Sequence, residues 1–310
     1  MRNPNAILVT IFIALALMGL SVPRGVIAKN SNPAEEGDPE VIALMHEMNE
    51  QLSARGLNVL LVQLEFFTIG PGRPIDRILQ AGERWVAYDT RRSAQDDDIT
   101  YLVDQSDGAT SSGLTHLQTE AAIDEAMATW DNSRALRKVD VVKRVDSGAD
   151  PDILDWLLGF DDDGIPGDSF LADIVHAGWL PREFFDALRP PKGGEQVLAT
   201  SATWIFVDSE EQPTDINGDQ YFDTAFNEVY YNDYWGDPEG DPRFPWGIDV
   251  DYPPIDVETI ALHESGHSLG MYHFGPPPDA IMNVYFYERR QSLYPIDIAG
   301  MSAIWKSWPK

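Results

Sequence analysis

The hydrophobic residues near the start of this chain follow two patterns, one typical of a helix and one typical of a buried strand. In residues 39–55 they return every three or four positions, for example at Val41, Leu44 and Met48, which predicts an amphipathic helix. Residues 57–67 are almost continuously apolar and rich in Val, Leu and Phe, which predicts a strand. This strand is too apolar to stay exposed, so we expect it to pack on another part of the chain.

From residue 99 onward, predicted strands and helices alternate. The predicted strands are residues 99–104, 139–145 and 203–207, and the predicted helices are residues 119–130 and a helix that begins near Asp256. Residues 208–254 are rich in Asp, Gly, Pro and aromatic residues, a composition that predicts a long loop region.

The N-terminus has the composition of a secretory signal peptide. Arg2 precedes an apolar run over residues 6–22, and Val26 and Ala28 are compact residues at the positions that determine cleavage. We expect cleavage after Ala28, so that residues 1–28 are a signal peptide and the mature protein is secreted into the extracellular space or the periplasm. A membrane anchor is the alternative, because a run of about 17 residues is at the short limit for spanning a bilayer.

Composition limits the partners of the mature protein. The chain has no cysteine, which excludes disulfides and thiolate metal ligands. Its net charge is -29, from 51 acidic and 22 basic residues. Such a field repels nucleic acids and anionic membrane surfaces. We therefore expect a monomer that binds no nucleic acid and, after signal cleavage, no membrane.

One short motif carries the candidate chemistry. The sequence HESGHSLGMYH, which begins at His263, follows the zinc-peptidase pattern H-E-x-x-H-x-x-G-x-x-H. A helix places His263 and His267 on one face, where they can bind one metal ion, and Glu264 beside it as general base. Gly270 can adopt the left-handed conformation that turns the chain back, so that His273 supplies the third ligand. Three protein ligands leave a fourth position open, which is typical of catalytic zinc; a metal-free buried helix is the costly alternative.

The residues after the motif carry a family resemblance. Met282 follows His273 at the distance expected for a Met-turn, and here the chain resembles the metzincins and, within them, the matrixins. The resemblance implies that Met282 lies beneath the zinc, and that Tyr285 and Phe286 form the wall of the pocket for the residue after the cut bond. Astacins and serralysins carry a ligand tyrosine where this chain has Val284, so those subfamilies fit less well.

The resemblance also implies a fold and a domain organisation. We expect an α+β, metzincin-like catalytic domain, with a twisted mixed sheet, a long active-site helix, a Met-turn and a C-terminal helix. Residues 99–104 resemble the first strand of a matrixin, residues 119–130 its first long helix and residues 295–305 its closing helix. The matrixin-like domain is therefore predicted over residues 98–310. Residues 29–97 are then an N-terminal extension or a propeptide.

A second metal site is predicted in the acidic middle of the chain. Oxygen-bearing side chains alternate at Asp215, Asn217, Asp219 and Asp223, as in the first part of a calcium loop. We predict Ca²⁺ binding there, with a simple polar turn as the alternative. Matrixins have a related segment for structural zinc and calcium, but Tyr221 replaces its histidine here, which argues against a structural zinc.

Two further features are interpreted as ordinary structure. His176 stands where matrixins have a structural-zinc histidine on a strand, and without its partners we interpret it as a hydrogen-bonded strand residue. A second acidic loop, residues 161–168, is more simply a polar turn than a calcium site.

The predicted function is that of a zinc-dependent endopeptidase. Water activated by the metal would attack a peptide carbonyl while Glu264 takes its proton and passes it to the leaving amine. The polypeptide substrate would lie extended along a sheet edge, as an added β-strand. Two alternatives stay open: a catalytically idle, metal-stabilised extracellular binding or adhesion protein, and a zinc amidase that acts on a non-protein substrate.

Overall fold

The structure, a computed structural model, describes residues 38–69, 82–149, 152–160 and 171–309. The predicted signal peptide and the acidic loop of residues 161–168 lie outside these ranges. Within them, none of the helices has both the length and the apolar character that a membrane crossing requires.

The described residues form six α-helices and ten β-strands. The helices are α1 (Pro39–Ala54), α2 (His116–Asp131), α3 (Leu154–Leu158), α4 (Arg182–Leu188), α5 (Val257–Ser268) and α6 (Pro295–Trp305). The strands are β1 (Val59–Ile69), β2 (Glu83–Arg84), β3 (Ile99–Val103), β4 (Val141–Lys143), β5 (Ile174–Leu180), β6 (Val197–Phe206), β7 (Phe222–Asn232), β8 (Trp246–Gly247), β9 (Ile255–Asp256) and β10 (Tyr285–Phe286).

Most strands join one mixed sheet in the order β10-β1-β6-β7-β5-β3-β4, and β2 also pairs with β7. The pairs β7–β5, β5–β3 and β3–β4 are parallel, whereas β6 is antiparallel to both β7 and β1. At the end of the sheet, β10 pairs with β1 in parallel. This mixed sheet and its helices confirm the predicted α+β fold.

Both faces of the sheet are covered by helices. Successive side chains of a strand point to opposite faces, and in β7 Tyr230 and Tyr231 belong to two different buried clusters. The cluster of Tyr231 contains residues of α2, α5 and α6, whereas that of Tyr230 contains residues of α1, α3 and α4. Helix α5, which carries the zinc motif, therefore lies with α2 and α6 on one face of the sheet.

The loop prediction for residues 208–254 is wrong in part, because β7 lies there as an interior strand of the sheet. Polar residues interrupt the apolar pattern of β7 and hide it in the sequence, yet they are buried and hydrogen-bonded. Asn227 exchanges hydrogen bonds with Ser201 of β6 at 3.0–3.2 Å, and Glu228 accepts one from the indole of Trp204 at 3.1 Å. Burial of paired polar groups thus allows a strand that hydrophobicity does not predict.

The described N-terminal residues are part of the sheet. The predicted helix and strand are present as α1 and β1, and β1 pairs with β6 from Val59 opposite Phe206 to Thr68 opposite Val197. Helix α1 contributes buried side chains to the same cluster as Val59. Much of the predicted extension is therefore packed on the rest of the fold, and the division of the chain at residue 97 stays a prediction.

Candidate metal centre

Helix α5 begins and ends where the sequence predicts. The carboxylate of Asp256 accepts hydrogen bonds from the backbone N–H of Thr259 at 3.0 Å and from its hydroxyl at 2.7 Å, which caps the first turn. After the helix, Gly270 has a φ of +96° and its N–H donates to the carbonyl of His267 at 2.8 Å. This left-handed residue reverses the chain and returns His273 to the helix.

The three histidines of the motif converge on one point. The Nε2 atom of His263 lies 3.1 Å from that of His267 and 3.1 Å from that of His273, and the last two are 3.3 Å apart. A tetrahedral zinc with Zn–N bonds of about 2.0–2.1 Å requires separations of about 3.3–3.4 Å between its nitrogens. Among the described residues, only these three histidines bring three ligand atoms within 4.8 Å of one another. The triad therefore fits one metal ion.

The outer nitrogens of the first two rings are held by the backbone. The Nδ1 atom of His263 lies 2.8 Å from the carbonyl oxygen of Ile281, and that of His267 lies 2.8 Å from the carbonyl oxygen of Met271. A carbonyl can only accept, so each Nδ1 donates and each Nε2 presents its lone pair to the metal position. Outer contacts of this kind orient histidine ligands.

The third ring is held by a residue that sequence reasoning missed. The carboxylate of Glu65, in β1, lies 3.1 Å from Nδ1 of His273, and both side chains are buried. Two residues on, the ring of Phe67 stacks on His263 with 3.7 Å between ring centroids. The one signal in the sequence was a carboxylate within a mostly apolar strand, and it does not say which distant residue becomes its partner.

Glu264, the residue after His263, carries a buried carboxylate. It is fully buried, and neither carboxylate oxygen has a hydrogen-bond partner among the described residues. Burial, and then the charge of Glu65, raise the pKa of Glu264 well above its usual range. Burial and the charge of His273 lower the pKa of His267 to about 4, and that of His263 is also depressed. Neutral imidazoles beside an unpartnered carboxylate suit a bound cation.

Met282 packs against α5 at Gly266. Its side chain is buried, and the turn that carries it is held by Asp297 at the start of α6. The carboxylate of Asp297 accepts hydrogen bonds from the N–H groups of Ile281 at 2.9 Å and Met282 at 3.3 Å. Because Ile281 also supplies the carbonyl that contacts His263, this turn links α6 to the metal centre.

The four residues of the predicted calcium loop are not gathered around one point. Asp215 and Asn217 both accept from the backbone N–H of Asp219, at 3.0 and 3.1 Å, as in a polar turn. Asp223 instead points inward and forms a 2.7 Å ion pair with Arg91. Calcium binding at this loop stays a prediction.

Comparison with known proteins agrees with the geometry. The family model described as matrixin matches residues 92–306, which is more than half of the chain. No curated protein matches the chain. The match includes α5, the three converging histidines and the Met282 turn, and it begins near the predicted boundary of the catalytic domain. The chain therefore belongs to the matrixin family of peptidases and is a zinc metalloendopeptidase.

Proposed function

We propose that this matrixin is a secreted endopeptidase that holds zinc on His263, His267 and His273 and uses Glu264 as its general base. The convergence of three Nε2 atoms beside a buried carboxylate without a hydrogen-bond partner carries this proposal. Secretion is supported by the composition of residues 1–28.

The residues of the chain have separable tasks in this mechanism. Zinc, when bound, supplies a Lewis acid that polarises the substrate carbonyl and makes water more acidic. Glu264 accepts the proton of the attacking water, holds it in a buried setting that favours the neutral carboxyl, and returns it to the leaving amine. Ile281 and Met271 keep the imidazoles of His263 and His267 in the orientation that binding requires.

The test compares three forms of the full-length chain: wild type, Glu264→Gln and Glu258→Gln. Glu258 is a matched control because it lies in the first turn of the same helix and is only half-buried. Each form is assayed for zinc content and for cleavage of a mixed peptide library. We expect about one zinc in each form, and turnover at least about 100-fold lower in Glu264→Gln alone. Equal cleavage by Glu264→Gln and wild type would remove Glu264 from the mechanism.

A zinc amidase acting on a non-protein substrate is one outcome of the same comparison. In that case Glu264→Gln would abolish hydrolysis of a small amide, and no form of the protein would cut the library.

A further inference from the structure

The candidate site is closed in this structure. Glu264 is 0 % exposed, His263 1 %, and His267 and His273 3 % each. A peptide bond must come within hydrogen-bond distance of the general base to be cut. Some part of the chain that now covers these residues must therefore leave before a polypeptide can reach them.

Strand β1 provides much of this cover. Gln63, Glu65 and Phe67 alternate along the strand, so their side chains share one face, and all three are buried. Phe67 stacks on His263 with an interplanar angle of 8°. Glu65 contacts His273 and also accepts a hydrogen bond from the side chain of Gln63 at 3.0 Å. One face of β1 thus lies on two of the three histidines.

The backbone of β1 pairs with the same strands whose N–H and C=O groups an extended peptide substrate would need for β-sheet hydrogen bonds. It lies between β6 and β10, antiparallel to the first and parallel to the second. Without β1, the outer side of β6 would be an unpaired edge, and such an edge accepts an added strand from a peptide ligand. A segment of the same chain therefore occupies the edge of β6, where we expect a substrate to be added as a strand.

We propose that β1 is a built-in occupant of the substrate groove and that the site opens when β1 leaves β6. This inference rests on the proposed function, because β1 would regulate access to the same site. Besides the β-ladder, two side-chain contacts hold the strand on the histidines: the Phe67 ring stacks on His263, and the Glu65 carboxylate contacts His273. Because β1 belongs to the same chain, it competes at a high effective concentration with any free peptide.

The first test weakens one contact and follows access to the metal. Full-length protein is loaded with Co²⁺, and binding of a tripeptide hydroxamate is followed by visible absorption, alongside peptide cleavage by the zinc form. In Phe67→Ala we expect hydroxamate binding and peptide cleavage to rise at least about tenfold. Truncation of a buried Phe costs several kcal/mol of packing free energy, and about 1.4 kcal/mol is enough to shift the equilibrium between bound and released β1 tenfold. Phe66→Ala is the matched control, because Phe66 packs in the cluster on the other face. It should stay near wild type.

The second test locks the strand. Leu64 and Ala202 are paired in the β1–β6 ladder on the face away from the site. Opposed strand residues have Cα separations within the range of a disulfide. Leu64→Cys with Ala202→Cys is added to Phe67→Ala; the natural chain has no cysteine, so only one disulfide can form. We expect the oxidised form to exclude the hydroxamate and a phosphine-reduced form to bind it.

The outcomes separate the two proposals. Equal hydroxamate access in the oxidised and reduced forms would overturn the role of β1, as would a Phe67→Ala protein that keeps its metal without gaining access. If the reduced form binds the hydroxamate but cuts no peptide, the role of β1 stands and the proposed peptidase mechanism fails.

Discussion

Met282 fills the space that a side chain at position 266 would need. A Cβ atom on Gly266 would lie 2.3 Å from the sulfur of Met282 and 3.1 Å from the ring of Trp130. Gly266 lies in α5 between His263 and His267, so the missing side chain lets the turn that carries Met282 approach the helix directly. The methionine and the glycine therefore form one packing unit behind the metal centre.

Gly266→Ala should destabilise the protein in spite of the better helix propensity of alanine. We expect an overpacking cost of about 1–3 kcal/mol, partly offset by about 1 kcal/mol of helix propensity. The free energy of unfolding in urea measures the balance. Gly82→Ala is the control, because a Cβ there has no heavy atom within 4 Å. A Gly266→Ala protein more stable than the Gly82→Ala protein would contradict this packing.

Asp297→Ala should weaken both the Met-turn and the metal site. It leaves the buried N–H groups of Ile281 and Met282 without their acceptor, which costs about 1–3 kcal/mol for each unsatisfied group. Zinc affinity should fall as well, because the carbonyl of Ile281 orients His263. Competition with a chromophoric chelator measures that affinity. Asp279→Ala, at an exposed side chain, should leave it unchanged.

His176 should make the stability of the protein depend on pH. As expected from the sequence, it is a hydrogen-bonded strand residue: it is fully buried in β5, and its Nδ1 lies 2.8 Å from the hydroxyl of Tyr231. Burial, and then the charge of Lys143, lower the pKa of His176 to about 3 from an ordinary 6.5. Between these values the unfolded chain binds a proton that the folded chain does not, so stability is complete above pH 6.5 and falls towards pH 3.

Replacing that histidine isolates its contribution. His176→Gln keeps a hydrogen-bonding side chain but cannot titrate, so its unfolding free energy should fall less steeply than that of wild type between pH 6.5 and pH 3. Urea titrations at a series of pH values give both slopes. Identical slopes would mean that His176 is protonated as readily in the folded chain as in the unfolded one.

Zinc should stabilise the fold through the three histidines. A ligand that binds only the native state at 100 times its dissociation constant adds about 2.7 kcal/mol, so chelation should lower the melting temperature of wild type. His267→Ala should melt at the same temperature with and without zinc. His46→Ala, at an exposed position on α1, should respond to zinc as wild type does. A full zinc response in His267→Ala would place the metal elsewhere.

The sequence by itself determined those features that depend on short spacing. Residues four apart lie on one face of a helix, which places His263 and His267 together. Asp256 caps the start of this helix, and Gly270 reverses the chain after its end. Met282 was identified through the resemblance to metzincins, which have a Met-turn at this distance along the chain from the zinc motif. Helices α1 and α2 were likewise predicted from local apolar periodicity, and strand β1 from a nearly continuous apolar run, whereas α6 was predicted from the resemblance to matrixins.

Only the tertiary structure decided which distant segments meet. β7 was hidden because Asn227 and Glu228 are polar, and they are stable in the interior only through partners on a neighbouring strand and beyond. The same holds for Glu65 and Phe67, whose contacts with His273 and His263 join segments that are far apart in the sequence. Spacing along a sequence controls local geometry. A contact between strands depends instead on the packing of the whole sheet, which residues that are neighbours in the sequence do not predict.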